Sequence, residues 1–158
     1  MRVAVVGVGL IGGSIGIAAR ERSKAEVIGW DPDAGALSTA RERGAVDRAA
    51  PNLLGAVAGA DVVFVAAPVG ALPGLVRDVL EAAGEDCAVS DVGSTKRAVV
   101  VDDERFCGGH PLAGAETSGV EHARGGGGPP GDAGGVAGGI FQAAPRPGGE
   151  TGRRKGLE

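Results

Sequence analysis

The chain has 158 residues, a net charge of −4 and 3% aromatic residues. That length suits one domain able to bury a core. An acidic chain with few aromatics and no basic patch excludes a nucleic-acid-binding surface, so no nucleic-acid partner is expected.

Arg2-Val3-Ala4-Val5-Val6 opens the chain. Its Val-rich run predicts a buried parallel strand over Val3–Val6. Next comes Gly7-Val8-Gly9-Leu10-Ile11-Gly12, then a small aliphatic stretch that predicts a helix over Gly12–Glu21. Arg2 followed by an uncharged run to Ala19 superficially resembles a secretion signal. Glycines at positions 7, 9, 12, 13 and 16 spoil it as an apolar helix, and the run is short for a membrane span. A cytoplasmic protein with no membrane partner is expected.

Strand, glycine turn and helix in that order form a nucleotide-binding signal. Gly7 permits the tight turn out of the strand. Gly9 lets a pyrophosphate approach the backbone, and Gly12 lets the helix lie close to the sheet. The phosphates would sit on the free N–H groups and positive end of that helix. Val27–Trp30 predicts the second strand, and Asp31 ends it, 19 residues after Gly12. A carboxylate there accepts hydrogen bonds from the adenosine ribose and repels a 2′-phosphate, which points to NAD rather than NADP. The plainer alternative is that Asp31-Pro32-Asp33 caps the following helix.

Further strands are predicted at Val62–Ala66, Ala88–Asp91 and Arg105–Cys107, with a weak one at Ala45–Asp47. Helices are predicted at Ala34–Arg43, Leu53–Ala58, Ala71–Ala82 and Ser94–Val100. This alternation implies an α/β fold, a doubly wound parallel sheet covered on both faces. Ligands of such sheets bind beyond the strands' carboxyl ends, where Asp31, Pro68, Asp91 to Ser94 and His110 all fall. Cys87 and Cys107 lack metal-ligand spacing, so no metal is expected. Both are read as small buried residues in a reducing compartment.

From Gly125 to Glu158, 34 residues contain 13 Gly and 4 Pro. Such a segment buries too little to offset its ordering entropy, so an irregular, disordered Gly/Pro-rich tail is expected. The ordered domain is therefore placed at 1–124 and the tail at 125–158. Of those 34 residues, 24 are Gly, Ala, Pro or Arg, the types with the most GC-rich codons. That composition fits a gene read out of frame or a truncated product, and a native low-complexity tail is the alternative.

Two more motifs carry chemistry. Asp91-Val92-Gly93-Ser94-Thr95-Lys96 follows a strand and opens a helix, and Gly108-Gly109-His110-Pro111-Leu112-Ala113-Gly114 follows another strand. An imidazole is suited to act as a base near neutral pH. His110 and the Ser94 hydroxyl could polarise or deprotonate a C–OH group whose carbon gives up a hydride. The plain alternatives are a structural histidine and a helix N-cap. Lys96 is divided between solvated residue and electrostatic contributor, and His122 is read as surface.

These motifs together, with Gly29-Trp30-Asp31 and Glu116-Thr117-Ser118-Gly119-Val120-Glu121-His122-Ala123, resemble the prephenate dehydrogenase family. The resemblance covers roughly residues 1–124 of the chain. It implies a Rossmann-like fold and NAD-dependent oxidative decarboxylation of prephenate to 4-hydroxyphenylpyruvate, on the route to tyrosine. It further implies that His110 takes the proton of the ring hydroxyl while Ser94 contacts that hydroxyl. Gly7, Gly9, Leu10, Ile11 and Gly12 would hold the pyrophosphate, Asp31 the ribose, and Ala67 and Pro68 would line the cofactor. Glu116 would stand near the substrate mouth. Ala115 stands where some relatives have Thr. Family members continue into a helical domain that supplies dimer contacts and an arginine for the substrate carboxylate, and Gly125 onward matches none of it. Two alternatives stay open: an arogenate dehydrogenase using NAD or NADP, and a catalytically silent nucleotide-binding fragment.

Overall fold

The computed structural model describes residues 1–93, 99–109 and 119–123. The expectations for Ser94, Lys96, His110, Glu116 and the 125–158 tail lie outside these residues.

Five parallel strands make one sheet in the order β3-β2-β1-β4-β5. They are β1 (Arg2–Val6), β2 (Glu26–Trp30), β3 (Arg48–Ala49), β4 (Val62–Val65) and β5 (Ala88–Asp91). Among the described residues, four α-helices alternate with them: α1 (Leu10–Ser23), α2 (Ala34–Glu42), α3 (Leu53–Val57) and α4 (Leu72–Ala82). The chain runs outward from β1 through β2 to β3, then returns to add β4 on the opposite side of β1. The strand order therefore reverses between β1 and β4, and the place beyond their carboxyl ends is where such sheets form a binding crevice.

The central strand shows why the sequence folds this way. Successive side chains of a strand point to opposite faces. Ala4 and Val6 enter a core with Val63, Val65, Leu72, Val76 and Val79 on the α4 side. Val3 and Val5 enter a second core with Ile15, Val27 and Ala40, which includes α1 and α2. A strand buried on both faces reads as an unbroken apolar run. In α4 the buried residues are Leu72, Val76, Val79 and Leu80, a one-sided helical stripe with Pro73 in the first turn. Asp33 is the N-cap of α2, accepting the N–H groups of Gly35 at 2.7 Å and Ala36 at 3.3 Å.

Two edge elements differ from expectation. The predicted strand at Ala45–Asp47 forms instead at Arg48–Ala49. Val46 turns into the core beside Gly29, and Asp47 holds Val27 through both its own N–H and its carboxylate, each at 2.8 Å. Regular pairing begins only at the next residue, Ile28 opposite Arg48. Arg105–Cys107 makes a single parallel bridge, Phe106 to Val89, rather than a strand. A turn at Asp103 shortens it, with Phe106 N–H donating to the Asp103 carbonyl at 3.0 Å. Of the predicted helix Ser94–Val100, the described residues Val99 and Val100 are not helical.

Cys87 is buried as expected, whereas Cys107 is exposed. Phe106 takes the inward place at this edge and packs on the α4-side core, so its neighbour turns outward. Among the described residues no helix is long and apolar enough to cross a membrane, and no group of His, Cys, Asp or Glu could hold a metal.

Candidate functional site

The crevice is built around Gly7, where the chain leaves β1 with φ of +92°. A side chain is strained in that conformation. A Cβ at Gly7 would also lie 2.5 Å from the Ala66 carbonyl oxygen, because β4 ends directly beside the turn. Gly7 N–H donates to the Trp30 carbonyl at 2.8 Å and Ala66 N–H to the Val6 carbonyl at 2.7 Å. The ends of β2, β1 and β4 are thereby tied to one loop.

Gly12 backs onto that loop so closely that a Cβ would overlap the Gly7 carbonyl and lie 3.0 Å from Val5 Cγ1. This brings the first turn of α1 down to the sheet. Gly9 is the opposite case, since a Cβ there would meet nothing within 4 Å. The space over Gly9 is open. Gly9 is also the N-cap of α1, and no side chain caps that helix or places an acid in its first turn. An uncapped helix start presents backbone N–H groups and a positive dipole end, which together suit an anion. Leu10 and Ile11 belong to this turn.

Asp31 stands across from the helix start. Its Oδ2 accepts the Val8 N–H at 2.9 Å and its Oδ1 accepts the Asp33 N–H at 2.9 Å. The carboxylate is thus fixed by the glycine loop it faces. A carboxylate offers about four lone-pair sites, so roughly two stay available to hydroxyl donors. Helix capping belongs to Asp33, and Asp31 is free of that duty. Ala67 and Pro68 follow β4 in the same loop cluster, where the Pro68 carbonyl accepts the Ala71 N–H at 2.8 Å. The arrangement can hold an extended diphosphate on α1 with a sugar at Asp31.

Residues 119–123 complete the α1 side. A 3-10 turn, Val120–His122, buries Val120 and Ala123 in the core shared by α1 and α2. A Cβ at Gly13 would come within 2.7 Å of Val120 Cγ2. Gly13 therefore exists for a close approach that no local pattern discloses; its only sequence signal is a second glycine beside Gly12. His122 is exposed as expected, with Nε2 3.9 Å from Glu121 Oε1.

Two features lie away from the crevice. Arg105 closes the end of α4, donating to the Leu80 carbonyl at 3.0 Å and the Ala83 carbonyl at 3.1 Å. Its side-chain hydrogen bonds hold the Asp103 carboxyl down at about 2, below the ordinary 3.8. Burial pushes the Cys87 thiol up, partly opposed by Arg105 and reinforced by Asp61. A groove of about 430 Å³ beside α4, lined by residues including Arg77, Leu80, Val99 and Arg105, shares no residue with the crevice.

The chain has relatives among known proteins. Residues 15–126 match the family model described as prephenate dehydrogenase, nucleotide-binding domain. The chain is 32% identical over 131 residues to a prephenate dehydrogenase of Bacillus subtilis, covering 77% of this chain and 35% of that protein. Its structure resembles that of Synechocystis arogenate dehydrogenase, with TM-score 0.70, 30% identity, and coverage of 78% of this chain and 45% of that one. It also resembles prephenate dehydrogenase from A. aeolicus in complex with hydroxyphenyl propionate and NAD+, with TM-score 0.69, 28% identity, and coverage of 79% and 46%. The chain spans about a third of the length of the curated relatives it matches. With the glycine turn at the sheet's switch point, the acid closing β2 and a family model matched over most of the folded part, the chain belongs to the prephenate dehydrogenase family, of which it carries the nucleotide-binding domain.

Proposed function

We propose that this chain binds NAD and serves NAD-dependent oxidative decarboxylation of prephenate to 4-hydroxyphenylpyruvate, as a cytoplasmic enzyme of tyrosine synthesis. The observation that carries the reading is the Asp31 carboxylate locked onto the Val8 N–H of an uncapped glycine turn. The N–H groups of α1 hold the diphosphate, and the carboxylate's remaining lone pairs accept the ribose hydroxyls. A 2′-phosphate at that place meets a fixed negative charge, which favours NAD over NADP. Ala67 and Pro68 line the cofactor beyond β4.

The nicotinamide, once bound, accepts a hydride from the ring carbon bearing the hydroxyl. His110 takes the hydroxyl proton, and Ser94 hydrogen-bonds the same oxygen. The ring carboxylate leaves as carbon dioxide, and its bonding electrons make the ring aromatic. By the same resemblance Glu116 would act near the substrate mouth. These three roles rest on the family resemblance of the motifs around them.

Arogenate is the second substrate reading, supported by the likeness to the Synechocystis enzyme. A nucleotide-binding fragment without turnover is the third, supported by the share of its relatives that the chain spans. Following reduced nicotinamide by absorbance, with prephenate or arogenate and with NAD or NADP, separates them. Turnover of prephenate with NAD, abolished in His110→Asn, is expected. Preference for arogenate or NADP overturns the substrate or cofactor assignment. NAD affinity without turnover on either substrate leaves the fragment reading.

A further inference from the structure

Asp91 ends β5 and is fully buried, at 0% exposure. A carboxylate out of water is costly unless its hydrogen bonds are made. A buried acid at a strand end therefore needs donors around it. Its Oδ2 accepts the Gly93 N–H at 2.9 Å. Its main-chain carbonyl accepts the Gly109 N–H at 3.0 Å. Asp91 itself is held in register opposite Val65 of β4, and the next residue, Val92, donates to the Val65 carbonyl at 3.1 Å.

Gly93 is seated as tightly as the bond suggests. A Cβ there would collide with Leu72 Cδ1 and lie 3.0 Å from Asp91 Oδ2. In the chain Gly93 directly precedes Ser94, and Gly109 directly precedes His110. The chain just past β5 and the more distant chain at Gly109 are therefore held by one residue, by its side chain on one hand and its backbone on the other.

We propose that Asp91 is a positioning residue for the dehydrogenase reaction: its carboxylate fixes Gly93, the residue before Ser94, relative to Gly109, the residue before His110, which is held on its carbonyl. This rests on the reading that Ser94 and His110 act on the substrate hydroxyl. Asp91 touches neither substrate nor cofactor in this role. Catalytic geometry is sensitive to displacements of about 1 Å, which cost on the order of hundredfold in rate.

Asp91→Ala removes the acceptor for Gly93 and leaves the backbone tie to Gly109. Asp91→Asn keeps an acceptor oxygen of the same shape. Amide hydrogen exchange on the full chain reads the tie without any turnover. In Asp91→Ala, Gly93 exchange is expected to rise about tenfold or more, while Gly109, Val5 and Val63 stay within about twofold. Asp91→Asn is expected to restore most of the protection. In turnover, Asp91→Ala is expected to lower kcat by roughly hundredfold with the KM for NAD unchanged, and Asp91→Asn to recover much of it. Unchanged Gly93 exchange, or exchange raised equally in β1 and β4, overturns the proposal. So does a kcat that falls no further in Asp91→Ala than in Asp91→Asn. Absence of turnover in the wild-type chain overturns the functional reading, and the exchange measurement still decides the tie.

Discussion

Gly13→Ala tests whether the Val120–His122 turn is seated on the cofactor helix. Gly13 lies inside α1, and a methyl group there gains about 1 kcal/mol of helix propensity. The same methyl would lie 2.7 Å from Val120 Cγ2 and 3.0 Å from the Ala123 Cβ. Carbon atoms rest at about 3.5–4.0 Å, so both neighbours must yield. Val120 is a stiff β-branched residue at 3% exposure and has little room to rotate. Overpacking of this kind costs about 1–3 kcal/mol. The net expectation is a loss of about 1 kcal/mol. Val120→Ala removes the nearer obstacle, at a cost of about 2 kcal/mol for two buried methyls and the space they leave. In that background Gly13→Ala becomes neutral or stabilising, because propensity then outweighs the remaining contact. Urea unfolding of the four proteins gives the coupling directly, expected at about 1–2 kcal/mol. If Gly13→Ala stabilises the wild type by its full helix propensity and the coupling is zero, the turn does not sit on α1 and the reasoning fails.

Three further outcomes follow from local chemistry. Asp33→Ala removes the α2 cap and is expected to cost about 1 kcal/mol in urea unfolding while leaving NAD affinity unchanged. The Asp103 carboxyl is held below its ordinary value, so it adds stability above about pH 3.8 that is lost as pH falls toward about 2. Asp103→Asn should flatten the acid limb of stability in that window, leaving the variant less stable than the wild type near neutrality and equal to it near pH 2, as read by thermal unfolding against pH. An alkylating reagent applied to the native protein should modify exposed Cys107 and spare Cys87, whose thiol is buried and raised. Mass spectrometry that finds Cys87 modified first would contradict the burial of the β5 start.

What the sequence discloses here is what local physics decides. The turn after β1 is legible because three glycines at fixed spacing meet separate requirements: φ at Gly7, open space at Gly9 and close approach at Gly12. The inner strands are legible because burial on both faces demands unbroken apolar runs such as Val3–Val6. The edges are not legible in this way. Whether Asp47 or Arg48 begins β3 depends on where Val46 tucks against Gly29, a contact across 17 residues. Cys107 reads as a core residue by type, yet one bridge at Phe106 decides that it faces outward. Long-range ties are equally hidden. The fit of Val120 onto Gly13 and the bond from Gly109 to the Asp91 carbonyl join segments distant in the chain. The assignments of Ser94, His110 and Glu116 rest on motif resemblance, since these residues lie outside the described structure.

Calorimetric titration of NAD and NADP into the chain and into Asp31→Ala tests the central claim most directly. The account predicts that the wild type binds NAD more tightly than NADP. It also predicts that the substitution weakens NAD by roughly ten- to hundredfold, the worth of one charge-assisted hydrogen bond to the ribose. Equal NAD affinity in the two proteins, or tighter binding of NADP to the wild type, would contradict it.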